Sequence, residues 1–176
     1  SKFRLRIRDI LYTPRPLLEI KTMYEELFEL FETYAAKAGR DMTISMPTNI
    51  FAELLRDSKI LLLAEDEDEP EKPVKIANAV AEDILGMCKA GYINGRHTIR
   101  EEDRKSSDLP PPPEDDYVFP EFVEGIARAT FYMLDEEDTV MFEEDHMLDG
   151  FRKALMILEV PAEAEEEVVA PRGRRK

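Results

Sequence analysis

Cysteine, histidine and glycine are scarce in this chain of 176 residues, and each scarcity removes a class of function. The single cysteine, Cys88, has no partner for an internal disulfide and sits in the apolar stripe Ile76, Val80, Ile84 and Met87, so a buried thiol in a reducing compartment is expected. The two histidines, His97 and His146, form no His-x-x-x-His pair, and no Gly-x-Ser-x-Gly or paired-cysteine motif supplies a nucleophile with its base. His146 lies among Glu143, Glu144, Asp145 and Asp149, where a metal site is conceivable, but a solvent-facing helical histidine is the expectation. The seven glycines make no phosphate-cradling loop. No catalytic, cofactor-binding or metal residue is assigned, and a non-enzyme without cofactor is predicted. The longest apolar run, Ile60–Ala64, is too short to span a bilayer, and no signal-like run follows Ser1. The chain reads as a soluble intracellular, cytoplasmic protein or a piece of a longer one.

What is abundant is acid. Thirty-nine acidic against 24 basic residues give a net charge of −15, which repels nucleic acid and anionic lipid and points to protein partners. An apolar fraction of 43% supports a real core, so one domain with tails is expected.

Residues 1–16 read as a basic N-terminal arm. Phe3, Leu5 and Ile7 alternate with Arg4, Arg6 and Arg8, the period of a half-buried strand, and the three arginines are candidate contacts to an acidic partner. Thr13-Pro14-Arg15-Pro16 breaks that pattern. From Leu17 the apolar positions Ile20, Tyr24, Leu27, Phe28, Phe31 and Tyr34 predict one helix of about five turns, ended near Gly39. Met46-Pro47-Thr48-Asn49 leads into a helix carrying Ile50, Phe51, Leu54 and Leu55. The acidic run Glu65–Glu71 predicts a solvated loop, and a further helical stripe, Ile76 to Cys88, ends near Gly91.

Residues 91–116 form a Pro-rich insertion whose Pro110–Pro113 run favours polyproline II, as a spacer or as a ligand for an aromatic groove. Phe122, Ile126, Ala129 and Met133 then line a short helix. Residues 135–160 hold a last amphipathic helix with Met141, Leu148, Phe151, Leu155 and Leu158. Phe151, Leu155 and Leu158 must pack somewhere, in the module's own groove or on a neighbouring chain, and are candidate partner-binding residues. The stripe of Met23, Tyr24, Phe28, Phe31, Met87, Phe131 and Met133 is expected in the core, with a partner groove as the alternative. The tail 161–176, acidic then basic, lacks a stripe and is expected to be disordered alone.

Two segments, around Phe31–Ile60 and Tyr117–Phe122, keep the hydrophobic code of a helix-loop-helix calcium module. An EF-hand loop places oxygens at positions 1, 3, 5, 7, 9 and 12 and an apolar residue at 8 that pairs the two loops. Here Met46 and Tyr117 take position 8, Phe51 and Phe122 start the exiting helices, and Glu121 falls at position 12. Pro110 and Pro112 stand where the second loop needs oxygens, while Gly39, Asp41, Thr43 and Ile50 leave the first loop a single carboxylate. Neither loop is expected to hold calcium at cytosolic levels. A non-standard site of Glu114, Asp116 and Glu121 is the alternative to Glu121 acting as a helix N-terminal acid.

Phe31-Glu32-Thr33-Tyr34, Met46, Phe51-Ala52-Glu53-Leu54-Leu55-Arg56-Asp57 and Tyr117-Val118-Phe119-Pro120-Glu121-Phe122 together resemble the EF-hand-like core of the tubulin-polymerization-promoting protein family and related ciliary and flagellar axoneme modules. The likeness covers about residues 24–134; the 91–116 insertion and the last helix depart from it, and a glycine-rich tubulin-bundling tail is not seen. The resemblance implies an all-α, EF-hand-like domain over residues 17–134. It implies a structural adaptor in a microtubule-based cytoskeletal assembly, a cilium or flagellum axoneme, with tubulin among the candidate partners. The competing reading is a calcium-responsive calmodulin-like or light-chain-like sensor.

Overall fold

A computed structural model describes residues 2–39, 45–91, 112–134 and 137–159. The N-terminal alternation does not make a strand. Phe3, Ile7, Ile10 and Leu11 lie on one helical face, and all four are buried, whereas Leu5 is 89% exposed. The Arg6 and Ile7 amides both donate to the Phe3 carbonyl at 3.1 Å, opening a turn that continues as α1, Ile7–Leu11. A period of two and a period of 3.6 share the positions i and i+4, so Phe3 and Ile7 satisfy both; Ile10 and Leu11 decide for the helix.

Pro14 does not merely interrupt. It occupies the first turn of α2, Pro14–Thr22, where its missing N–H costs nothing. The single helix expected from Leu17 to Tyr34 is two, divided at Met23 (φ −93°, ψ 2°) from α3, Tyr24–Ala36. The Leu27 amide still reaches the Met23 carbonyl at 2.9 Å, so the chain bends there with its hydrogen bonding kept. The bend lets α2 pack on the last helix while α3 packs on the helices that follow it.

Gly39, with φ 69°, ends α3 in the left-handed region, as its position predicts. Strand β1, Met46–Pro47, leads directly into α4, Thr48–Asp57. Beyond α4 the Leu61 amide returns to the Leu55 carbonyl at 3.3 Å, around Lys59 at φ 58°. The acidic loop is mostly exposed, and Asp66 organises it by accepting from the Asp68 and Glu69 amides at 3.0 and 3.3 Å. Then come α5, Lys72–Gly91, strand β2, Asp116–Tyr117, and α6, Phe119–Tyr132. The last helix, α7, runs Glu143–Leu155 with a short 3-10 turn, Met156–Leu158. Phe142 precedes it at φ 63°.

Thus among the described residues the chain is mainly α, with one two-stranded antiparallel pair in which Met46 faces Tyr117 and Pro47 faces Asp116. That pair joins the loop after α3 to the loop before α6. Its residues reach the core at once: Phe51 stacks on Tyr117 at 4.2 Å, and Phe122 meets both Phe51 at 6.0 Å and Phe31 at 5.3 Å. Gly125 makes this possible, since a Cβ there would stand 2.9 Å from the Phe51 ring and 3.0 Å from that of Tyr117.

The N-terminal segment and α7 belong to the same core as the middle of the chain. Phe3 lies 4.7 Å from Phe131, and Met147, Leu148, Phe151 and Ala154 are fully buried. Helices α6 and α7 cross closely at Gly150, where a Cβ would fall 1.8 Å from Thr130 Cγ2. The Pro110–Pro111 half of the proline run, Asp41, Thr43, His97 and the tail from residue 160 lie outside the described residues. No helix among the described residues is long and apolar enough to cross a membrane.

Candidate functional site

The residues expected to meet a partner find contacts within their own chain. Arg4 pairs with Asp83 at 3.5 Å, Arg6 with Glu143 at 3.3 Å, and Arg8 forks onto both oxygens of Glu124 while also donating to the Cys88 carbonyl at 3.1 Å. Farther on, Thr13 donates to Glu144 at 3.0 Å and Arg15 pairs with Asp145. The acidic surface that the basic arm seeks is therefore its own α5, α6 and α7. Phe151 is fully buried, Leu155 is buried and Leu158 packs partly buried on the same core, so the last helix fills its own molecule's groove rather than presenting these side chains outward.

The best-organised polar group in the molecule was not legible as such. Glu124, 1% exposed, faces the apolar side of α6 and receives Arg8 from the N-terminal segment and Arg128, one turn on, at 3.4 Å. Arg128 also donates to the Arg4 carbonyl at 2.6 Å and contacts Met87 Sδ at 3.8 Å. One buried carboxylate thus holds two guanidiniums, that of Arg128 buried and that of Arg8 partly exposed, and through them ties the N-terminal segment to α5 and α6. The Glu124-to-Arg128 spacing is a visible i, i+4 pair; its burial and its third member, Arg8, are not. Beside this cluster a cavity of about 220 Å³ is lined by Phe3, Arg4, Ile7, Asp83, Met87 and Arg128 among others.

The side chains with chemical potential are turned to structural use. Burial, with Glu124 close by, pushes the Cys88 thiol well up, so it stays protonated and is no nucleophile at neutral pH; its Sγ lies 3.7 Å from the Glu121 carbonyl. His146 is not solvent-facing: Nε2 donates to the Thr130 carbonyl at 2.8 Å and the ring lies 4.8 Å from Phe131. In the second loop Asp116 is buried and accepts the Ser45 hydroxyl at 2.8 Å, while Glu121 Oε1 accepts the Val118 amide at 3.1 Å as a helix cap. Among the described residues no group of His, Cys, Asp or Glu is arranged to hold a metal ion.

Tyrosines fix the helix pairs. The Tyr34 hydroxyl donates to Asp57 at 2.6 Å across α3 and α4, Tyr132 to Asp83 at 2.8 Å across α6 and α5, and Tyr117 to the Ala81 carbonyl. Burial chiefly, and the acceptor carboxylate for the first two, raises all three phenols above their ordinary value.

Three expected core residues are at the surface. Tyr24 and Phe28 are 52% and 40% exposed, although Phe31 on the same helix is buried. Met133, also expected inside, is exposed as well. Comparison with protein-family models, with curated proteins and with solved structures returns no match for this chain.

Proposed function

We propose that the protein is a non-catalytic structural adaptor that docks into a microtubule-based cytoskeletal assembly, a ciliary or flagellar axoneme. The observation that carries the reading is the junction of Met46 with Tyr117, the two residues at position 8 of an EF-hand frame. It joins the α3–α4 and α5–α6 units as an EF-hand-like pair would be joined. The sequence likeness to the axonemal modules runs through the same residues, Phe51, Tyr117 and Phe122. Internal hydrogen bonds engage Asp116 and the Oε1 atom of Glu121, which favours a scaffold over a calcium-responsive sensor. The intramolecular pairing of Arg4, Arg6 and Arg8 with the chain's own carboxylates favours attachment through other axonemal proteins over direct grasp of acidic tubulin.

Co-sedimentation tests this. The protein is expected to pellet with isolated axonemal doublets, equally in calcium and in chelator, and to remain in the supernatant with microtubules of purified tubulin. Failure to pellet with doublets contradicts the adaptor reading, and pelleting only in calcium favours the sensor.

A further inference from the structure

We propose that the outer face of α3 docks an arginine- or lysine-rich amphipathic helix of a partner protein. The inference deepens the adaptor reading and rests on it only for the partner's cellular setting. At about 100° per residue, Tyr24 and Phe28 stand about 40° apart, and Glu32, Glu25 and Glu29 follow at about 80°, 100° and 140°. An aromatic strip therefore has an acidic rail along one edge, while Leu27, Leu30, Phe31 and Tyr34 face the core on the other side.

The strip is rigid. Tyr24 and Phe28 each meet Phe119 edge-on at 5.1 Å, and Phe119 is held by Phe31 at 5.6 Å, so the rings are ordered before any partner arrives. Charge decides the occupant. Asp83, Glu124, Glu143, Glu144 and Asp145 are neutralised by the N-terminal arginines, but exposed Glu25, Glu29 and Glu32 join no ion pair among the described residues. Spaced four and three apart, they repel one another. A helix with cations at the same spacing relieves that repulsion, lays guanidinium groups over the rings and covers them with its apolar stripe. A second copy of this chain would bring the same acids face to face, so self-association here is disfavoured.

The test uses the full chain and two labelled synthetic helices, one of leucine and arginine and its leucine–glutamate twin, read by fluorescence anisotropy. The arginine helix is expected to bind at least about tenfold tighter than its twin, and more weakly as salt rises from about 0.05 to about 0.5 M. Reversing Glu25, Glu29 and Glu32 to Lys should abolish that preference, and Phe28→Gln should weaken binding severalfold, each measured at a temperature where the variant's melting curve shows it folded. Reversing Glu65, Glu67 and Asp68 on the exposed loop should leave most of the binding. Equal loss from the loop reversal would show attraction to bulk charge and overturn the proposal. So would binding that the α3 substitutions do not touch, an outcome that leaves co-sedimentation with doublets, and hence the adaptor reading, standing.

Discussion

Glu124, 1% exposed, is paired with both Arg8 and Arg128. Removing it leaves the Arg128 guanidinium, only 7% exposed, without its carboxylate and Arg8 without its fork, so Glu124→Ala should lower stability by about 3 kcal/mol in urea unfolding. Arg8→Met leaves Glu124 paired with Arg128 and should cost clearly less. The buried phenols and thiol set the alkaline limit. Their protonation equilibria are raised in the folded state. The stability they contribute is therefore fully present below the ordinary cysteine and tyrosine values, about 8.5 and about 10, and is lost as pH climbs through them towards the folded values. The urea midpoint should be flat from about pH 7 to about pH 8 and fall steeply above about pH 10, with phenolate absorbance appearing as the protein unfolds. A midpoint unchanged at about pH 11 would contradict the tyrosine geometry. At this scale the sequence revealed Cys88's burial, because its neighbours are apolar at helical spacing. It concealed the roles of Arg4, Arg6 and Arg8, because their carboxylate partners lie far along the chain and no local period encodes such a pairing.

Helices α4 to α7 were legible because their apolar positions recur at the helical period over two turns or more. The first 16 residues were not, nor was the division at Met23 of the helix expected from Leu17. Phe3 and Ile7 fit a strand and a helix alike, and the bend at Met23 interrupts a stripe whose spacing continues across it, since α2 and α3 turn the same stripe toward different neighbours. Exposure of Tyr24 and Phe28 escaped for a related reason: the aromatic band on α3 is wider than the surface its neighbours cover. The crossing of α6 and α7 at Gly150 is likewise invisible in sequence, where the glycine reads as a mild helix defect. Gly150→Ala should destabilise the protein by about 1 to 3 kcal/mol despite adding helix propensity, because the new methyl meets Thr130 Cγ2. Thr130→Ser, which deletes that methyl, should recover part of the loss; the double mutant measured by thermal unfolding decides it.

Across the described residues, the N-terminal segment, the middle helices and α7 merge into one core, with the N-terminal arginines paired to internal acids and negative charge left on the outer face of α3 and the loop before α5. The short strand pair and the side chains of Met46, Tyr117, Phe51 and Phe122, all fully buried, tie the start of α4 to the start of α6, so apolar packing rather than a bound cation should keep them joined. The burial of Tyr117, Phe51 and Phe122 was legible because aromatic residues at these spacings seek a core; the donors that reach Asp116 and Glu121 Oε1 were not. Amide hydrogen exchange over residues 45–48 and 116–119, in chelator and in calcium, tests this claim most directly. Equal, strong protection in both conditions is predicted. Protection that develops only when calcium is added would contradict it.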